Sequence, residues 1–154
     1  MAQNGTASAA EPFDLLEETS ALLSARRRRW KTRDSIARAI RRGFSPSAVT
    51  TLSTKTDIPE KNIVDLLALP ERTWKRRKQD KRALSQVQSD RLYRLAQAIA
   101  KATDTLGSRD KAVRWMMQSN RALGGSSPLE VLDTEVGEEQ VRDILGRIEH
   151  GIFS

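Results

Sequence analysis

The stretch Ile63-Val64-Asp65-Leu66-Leu67-Ala68-Leu69-Pro70-Glu71-Arg72-Thr73-Trp74-Lys75-Arg76-Arg77-Lys78 decides how this chain reads. Ile63, Leu66 and Leu67 recur at i, i+3 and i+4, the spacing of one helix face. Ala68-Leu69-Pro70 interrupts that helix, and Pro70 suits the first position of a new one, where no amide donor is required. The segment 71–78 that follows carries five cations and one large apolar residue, Trp74. Two helices of about eight residues across a three-residue break have the layout of a helix-turn-helix. The turn carries Ala68 where glycine is common. Pairing within residues 45–67 gives an alternative helix-turn-helix whose second helix is less basic.

Such a helix can enter the major groove, where Arg and Lys reach guanine edges and phosphates attract the remaining cations. The reading places Glu71, Arg72 and Lys75 toward the groove, Thr73 or Arg76 on phosphate and Arg77 among the supporting cations. Trp74 turns inward as the anchor. The plainer alternative is a solvated cationic helix with no partner.

The charge pattern along the chain agrees. The whole chain of 154 residues is +7, yet residues 26–82 hold 18 basic and 6 acidic groups, a net +12. Residues 1–25 carry four acids and no Lys or Arg, and residues 83–154 are close to neutral. The run Arg26-Arg27-Arg28-Arg29 reads either as a solvated stretch or as a second polyanion contact.

Outward from the basic centre every periodic segment is helical, so an all-α fold is expected. With charged residues at 31% and aromatics at 5%, the apolar content suits small helical cores. A helical pattern starts at Pro12, with Leu15, Leu16, Thr19, Leu22 and Leu23 on one side. Another spans 34–42 and stops at Gly43. The Thr- and Ser-rich segment after Ser45-Pro46 is a weak helix former that must lean on packing. Ser85-Gln86-Val87-Gln88 is a capping box opening the longest helix, to about Leu106. Ser108 caps the next, Ser127-Pro128-Leu129-Glu130 opens a short one ending near Thr134, and the last runs from about Gly137 to His150. The expected organisation is a flexible, partly helical extension over 1–33, a helix-turn-helix DNA-binding domain over 34–84, and a helical domain over 85–154.

No cysteine is present, so thiolate chemistry and disulfides are excluded and a reducing compartment is expected. No segment has the length and apolarity of a membrane span, and the N-terminus lacks a signal-peptide pattern, so no membrane partner is expected. There is no glycine-rich phosphate loop, no Ser-His-acid ordering and no carboxylate pair with a reason to be buried, so a non-enzymatic protein without cofactor is expected. His150 is the single histidine, and a metal site is not expected; a histidine in a last helical turn ordinarily caps carbonyls.

Beyond these patterns, Leu69-Pro70-Glu71-Arg72-Thr73-Trp74-Lys75-Arg76-Arg77, with Leu84-Ser85 and Ser89-Asp90-Arg91-Leu92-Tyr93-Arg94-Leu95-Ala96, resembles the DNA-binding half of Xre-like antitoxins of bacterial RES-Xre toxin–antitoxin systems. Trp115-Met116, Asn120-Arg121-Ala122-Leu123-Gly124-Gly125, Pro128-Leu129-Glu130-Val131-Leu132, Glu135-Val136-Gly137 and Ile148-Glu149-His150-Gly151-Ile152-Phe153 together look like the C-terminal toxin-binding domain of Xre, MbcA and ParS antitoxins. The resemblance spans about residues 34–154. It implies a cytoplasmic bacterial antitoxin that silences a RES-domain, NAD-consuming toxin by blocking its active site and represses its own operon.

On that reading Trp115, Leu123, Leu129, Ile148, His150, Gly151, Ile152 and Phe153 are the candidates for toxin contact. Each has a plainer reading. Trp115 shares a helix with Val113, Met116 and Met117 and can be core; Leu123 needs a partner inside the domain or on another chain; Ile152 and Phe153 can enter a toxin cleft or fold back on their own domain. One short recognition helix binds DNA weakly, so a homodimer reading two half-sites of operator DNA is expected, within a larger toxin–antitoxin complex. The alternatives are a helix-turn-helix transcription regulator without a toxin partner and a non-specific nucleic-acid-binding protein.

Overall fold

The computed structural model describes residues 12–26 and 30–151. Regular structure in those residues is entirely helical: α1 (Leu15–Leu23), α2 (Arg33–Arg42), α3 (Ser47–Thr56), α4 (Glu60–Leu66), α5 (Glu71–Asp80), α6 (Gln86–Leu106), α7 (Arg109–Met117), α8 (Pro128–Val131) and α9 (Glu135–Glu149), with a 3-10 turn at Arg121–Leu123. The all-α expectation holds.

Side-chain caps account for most starts. The Ser85 hydroxyl accepts from Gln88 N at 3.1 Å while the Gln88 side chain accepts from Ser85 N at 2.9 Å. Ser127 and Glu130 repeat this box at α8, and Thr32 and Ser35 form it at α2. The last helix begins two residues before Gly137, because Thr134 Oγ1 accepts from Gly137 N at 3.0 Å and so fixes the first turn at Glu135. Pro70 stands at the N-cap of α5 with extended backbone (ψ 143°) and precedes the first helical residue instead of being it.

The 21-residue α6 is the axis of the fold. Leu92, Leu95 and Ile99 are fully buried along it, and α1, α2, α7 and α9 all pack against it. Buried residues from Leu22 to Leu145 form one continuous apolar cluster. Within α3, Val49 and Leu52 have no exposure, so packing holds a segment whose threonines and serines favour helix poorly.

The helix of the N-terminal extension shares this cluster. Leu22 and Leu23 are buried, and Asp14 caps α1 by accepting from Leu16 N at 2.9 Å. At its other end the Lys55 ammonium, from α3, donates to the carbonyls of Ala21 and Ser24. A cation on terminal carbonyls complements the negative end of the helix dipole. Within 12–24 the extension is therefore docked on α3 and α6.

Two glycines mark close approaches. A Cβ on Gly137 would lie 1.7 Å from the carbonyl oxygen of Val131, so α8 and the first turn of α9 touch only because that side chain is missing. Gly146, in the same helix, has open space around it. Gly146→Ala is expected to stabilise the fold by about 0.5–1 kcal/mol by removing helix-interior glycine entropy. Gly137→Ala is expected to destabilise it by more than that. Urea denaturation of both variants checks the pair, and equal shifts would refute the packing argument.

Candidate nucleic-acid interface and partner surface

The turn between α4 and α5 is held by the backbone. Ala68 N donates to Asp65 O at 3.0 Å and Leu69 N to Val64 O at 3.2 Å. Ala68 takes the left-handed conformation, φ 55°, the conformation for which glycine is common in such turns. The break read from the sequence is thus real, and alanine bears the strain.

Trp74 sets the rotation of α5. Its ring is buried, and its indole N–H donates to Glu60 Oε1 at 2.7 Å, tying the middle of α5 to the first turn of α4. The Lys78 ammonium reaches the same oxygen at 3.1 Å and lies 5.9 Å from the Trp74 ring centroid. Glu60 was not singled out by its sequence context, because a first-turn glutamate ordinarily serves only the helix dipole.

With Trp74 inward, Glu71, Arg72, Lys75 and Arg76 are exposed and Thr73 is half-buried at the edge of that face. Lys75 pairs with Glu71 at 3.3 Å. Arg72 and Arg76 make no ion pair among the described residues. Arg77 differs from its neighbours: half-buried, it donates from Nη1 to Gln88 Oε1 at 2.6 Å, bracing α5 against the cap of α6. The geometry thus gives Arg77 a bracing role and leaves the other five named residues at the surface. The alternative pairing within 45–67 presents little free charge, since Lys61 on α4 is engaged by Asp65 at 3.0 Å.

The C-terminal candidates separate by burial. Leu123 (9% exposed) and Leu129 (5%) pack into the chain's own core, which supplies the partner that Leu123 required. Trp115 is half-buried and rests against the core, leaving part of its ring at the surface. Ile148 is half-buried, while His150 and Gly151 are exposed. His150 caps α9, its backbone N–H donating to Gly146 O at 3.1 Å. Ile152 and Phe153 lie outside the described residues.

Two ion pairs bind α9 to α6. Arg94, mostly buried, joins Glu138 at 2.9 Å and Asp90 at 3.0 Å. Lys101 joins Glu149 at 2.9 Å. A mostly apolar groove runs between them, with Phe13, Ala98, Val141 and Leu145 in its lining. Among the described residues no group of three or more His, Asp or Glu side chains could hold a metal, and no helix is long and apolar enough to cross a membrane.

A hydrogen bond from Lys101, then its charge, hold the Glu149 carboxyl below its ordinary range. A depressed carboxylate adds stability above its unfolded pKa and loses it as pH falls through the folded value. Lys101→Met is expected to return the Glu149 titration toward an ordinary glutamate in carbon-detected NMR; an unmoved midpoint would refute the pairing. At the other end of the molecule, Trp74→Phe keeps the ring but removes the indole donor, and should lower stability by about 1–3 kcal/mol in urea. No loss would mean that the bond to Glu60 does not hold α5.

Comparisons with known proteins follow the same two-part layout. A family model of the antitoxin Xre-like helix-turn-helix domain matches residues 35–97. A model of the antitoxin Xre/MbcA/ParS C-terminal toxin-binding domain matches residues 101–151, so the two meet inside α6. The chain is similar to an antitoxin Xre of Yersinia enterocolitica, 32% identical over 117 residues that cover 75% of this chain and 79% of that one. It is 36% identical to an antitoxin Xre of Photorhabdus laumondii over 94 residues, 60% of this chain and 64% of the other. A Prs ADP-ribosylating antitoxin of Sphingobium is 26% identical over 124 residues, 75% and 78% of the two chains.

Proposed function

The chain belongs to the Xre antitoxin family, and from that premise we propose that it neutralises a RES-domain, NAD-consuming toxin and, through α5, binds operator DNA to repress its own operon. Carrying the DNA part is one observation: Trp74 and Glu60 turn α5 so that Arg72, Lys75 and Arg76 face outward together. Arg72 and Lys75 are assigned to base edges, with Glu71 beside them, and Thr73 and Arg76 to phosphate. Two copies reading two half-sites supply the affinity that one short helix lacks.

The toxin part rests on the family match over 101–151 and on the exposed end of α9. Trp115, Ile148, His150 and Gly151 are assigned to toxin contact, and Ile152 and Phe153 to the toxin's substrate cleft. Leu123 and Leu129 support that surface from within. The mechanism is occlusion: apolar side chains cover the substrate entrance, and no bond is made or broken by the antitoxin. The working units are 34–84 for DNA and 85–154 for the toxin, with the protein acting in the bacterial cytoplasm.

The relative named as a Prs ADP-ribosylating antitoxin favours a second reading, in which the toxin cleaves NAD, releases nicotinamide and passes the ADP-ribose to an acceptor protein instead of to water. Incubating the co-produced toxin with NAD and a bacterial lysate as the source of acceptor proteins, with and without this protein, separates the two. NAD loss without a modified protein, stopped by this protein, supports the first reading; a modified protein supports the second. Deleting residues 152–154 should release toxin activity, and undiminished neutralisation would overturn the tail assignment. Arg72→Ala and Lys75→Ala should each cost about 1–3 kcal/mol against the preferred operator and relax base preference. An equal loss on all sequences would make them phosphate contacts.

A further inference from the structure

Among the cations outside the outer face of α5 to which no role has been given, four lie on two segments that the fold joins. Arg41 and Arg42 end α2, and Lys81 and Arg82 follow α5. The fold brings these two chain segments together. Leu84 N donates to Phe44 O at 2.9 Å, and a Cβ on Gly43 would lie 2.0 Å from Leu84 O, so only glycine admits the crossing. Phe44 N donates to the buried Ser89 hydroxyl at 2.8 Å, which locks the crossing onto α6. Arg42 is one residue from Gly43, and Arg82 is two residues from Leu84.

All four side chains are exposed, and none makes an ion pair among the described residues. Asp80, the nearest acid in the chain, makes none with them either. Like charges on two segments that meet at one crossing repel one another, and no ion pair among the described residues neutralises them. A second observation concerns Lys81. It occupies the C-cap of α5 in the left-handed conformation, φ 53°, where glycine is unstrained and lysine is not. Backbone strain at an exposed cation, beside three more cations, points to use of the side chain.

The crossing lies at the C-terminal end of α5, continuous with Arg72 and Arg76 through the helix itself. We propose that Arg41, Arg42, Lys81 and Arg82 form a phosphate clamp that grips the DNA backbone beside the C-terminal end of α5. The proposal rests on the reading that α5 lies on DNA. Position selects DNA over an acidic protein surface: the cations extend the basic helix, whereas the end of α9 is tied by Glu149 to Lys101, toward the far end of α6. The clamp adds affinity and no base preference.

The test uses the full-length protein, a mixed-sequence DNA duplex and a duplex carrying its own promoter, titrated with salt. Arg41→Gln with Arg42→Gln should weaken both duplexes by the same factor. The salt slope should fall by about 0.9 for each lost phosphate contact, hence close to 2 for the pair. Lys81→Gly gives an opposed signature: its melting temperature should rise as backbone strain is relieved, while DNA affinity falls. That opposition also decides the matter if the double variant does not fold. An unchanged slope in folded variants overturns the clamp and leaves the α5 reading intact. Weaker toxin capture with unchanged DNA binding overturns it in favour of a protein partner. Wild-type protein that binds neither duplex removes the α5 reading and the clamp with it.

Discussion

Burial of a single long helix is the constraint on which the rest depends. Over 21 residues, about 31 Å at the usual rise, α6 presents Leu92, Leu95 and Ile99 to the apolar core. Its first turns receive the basic half: Gln88 takes the Arg77 guanidinium, Ser89 takes the Phe44 amide, and Arg91 donates to Leu66 O at 3.4 Å. Farther along, Arg94 and Lys101 hold α9 through Glu138 and Glu149. The two functional halves thus share one buried helix as their common support.

Electrostatics divides labour within that frame. On α5 identical side-chain chemistry serves different ends according to face. Arg77 turns inward and braces the helix, whereas Arg72 and Arg76 stay outside with no ion pair among the described residues. The face is set by one buried tryptophan and the glutamate that takes its proton donor. In the last third, by contrast, Glu138 and Glu149 meet Arg94 and Lys101 across α6 and α9 and help to hold the fold.

What could be read in the sequence was local. The helix-turn-helix was visible because Ile63, Leu66 and Leu67 share a face and Pro70 ends the turn; capping boxes at Ser85 and Ser127 were visible because their partners are three residues away. The docking of α1 was not, since it depends on Lys55 reaching carbonyls more than thirty residues earlier in the chain. Nor could periodicity decide whether Leu123 finds its partner inside the domain, because the short turn that carries it has no repeating face, whereas the packing of Leu129 onto the long helix could be read. Arg94 and Glu60 were missed for the same reason: their partners lie on other helices. In the tail, Ile152 and Phe153 lie outside the described residues, so their assignment rests on sequence and resemblance.

If α6 keeps the two surfaces apart, toxin and DNA must bind one molecule at once. Sedimentation velocity of the antitoxin–toxin complex mixed with a duplex carrying its promoter tests this directly. The account predicts a single boundary containing antitoxin, toxin and DNA together. Separate boundaries, with toxin displaced as DNA is taken up, would contradict it.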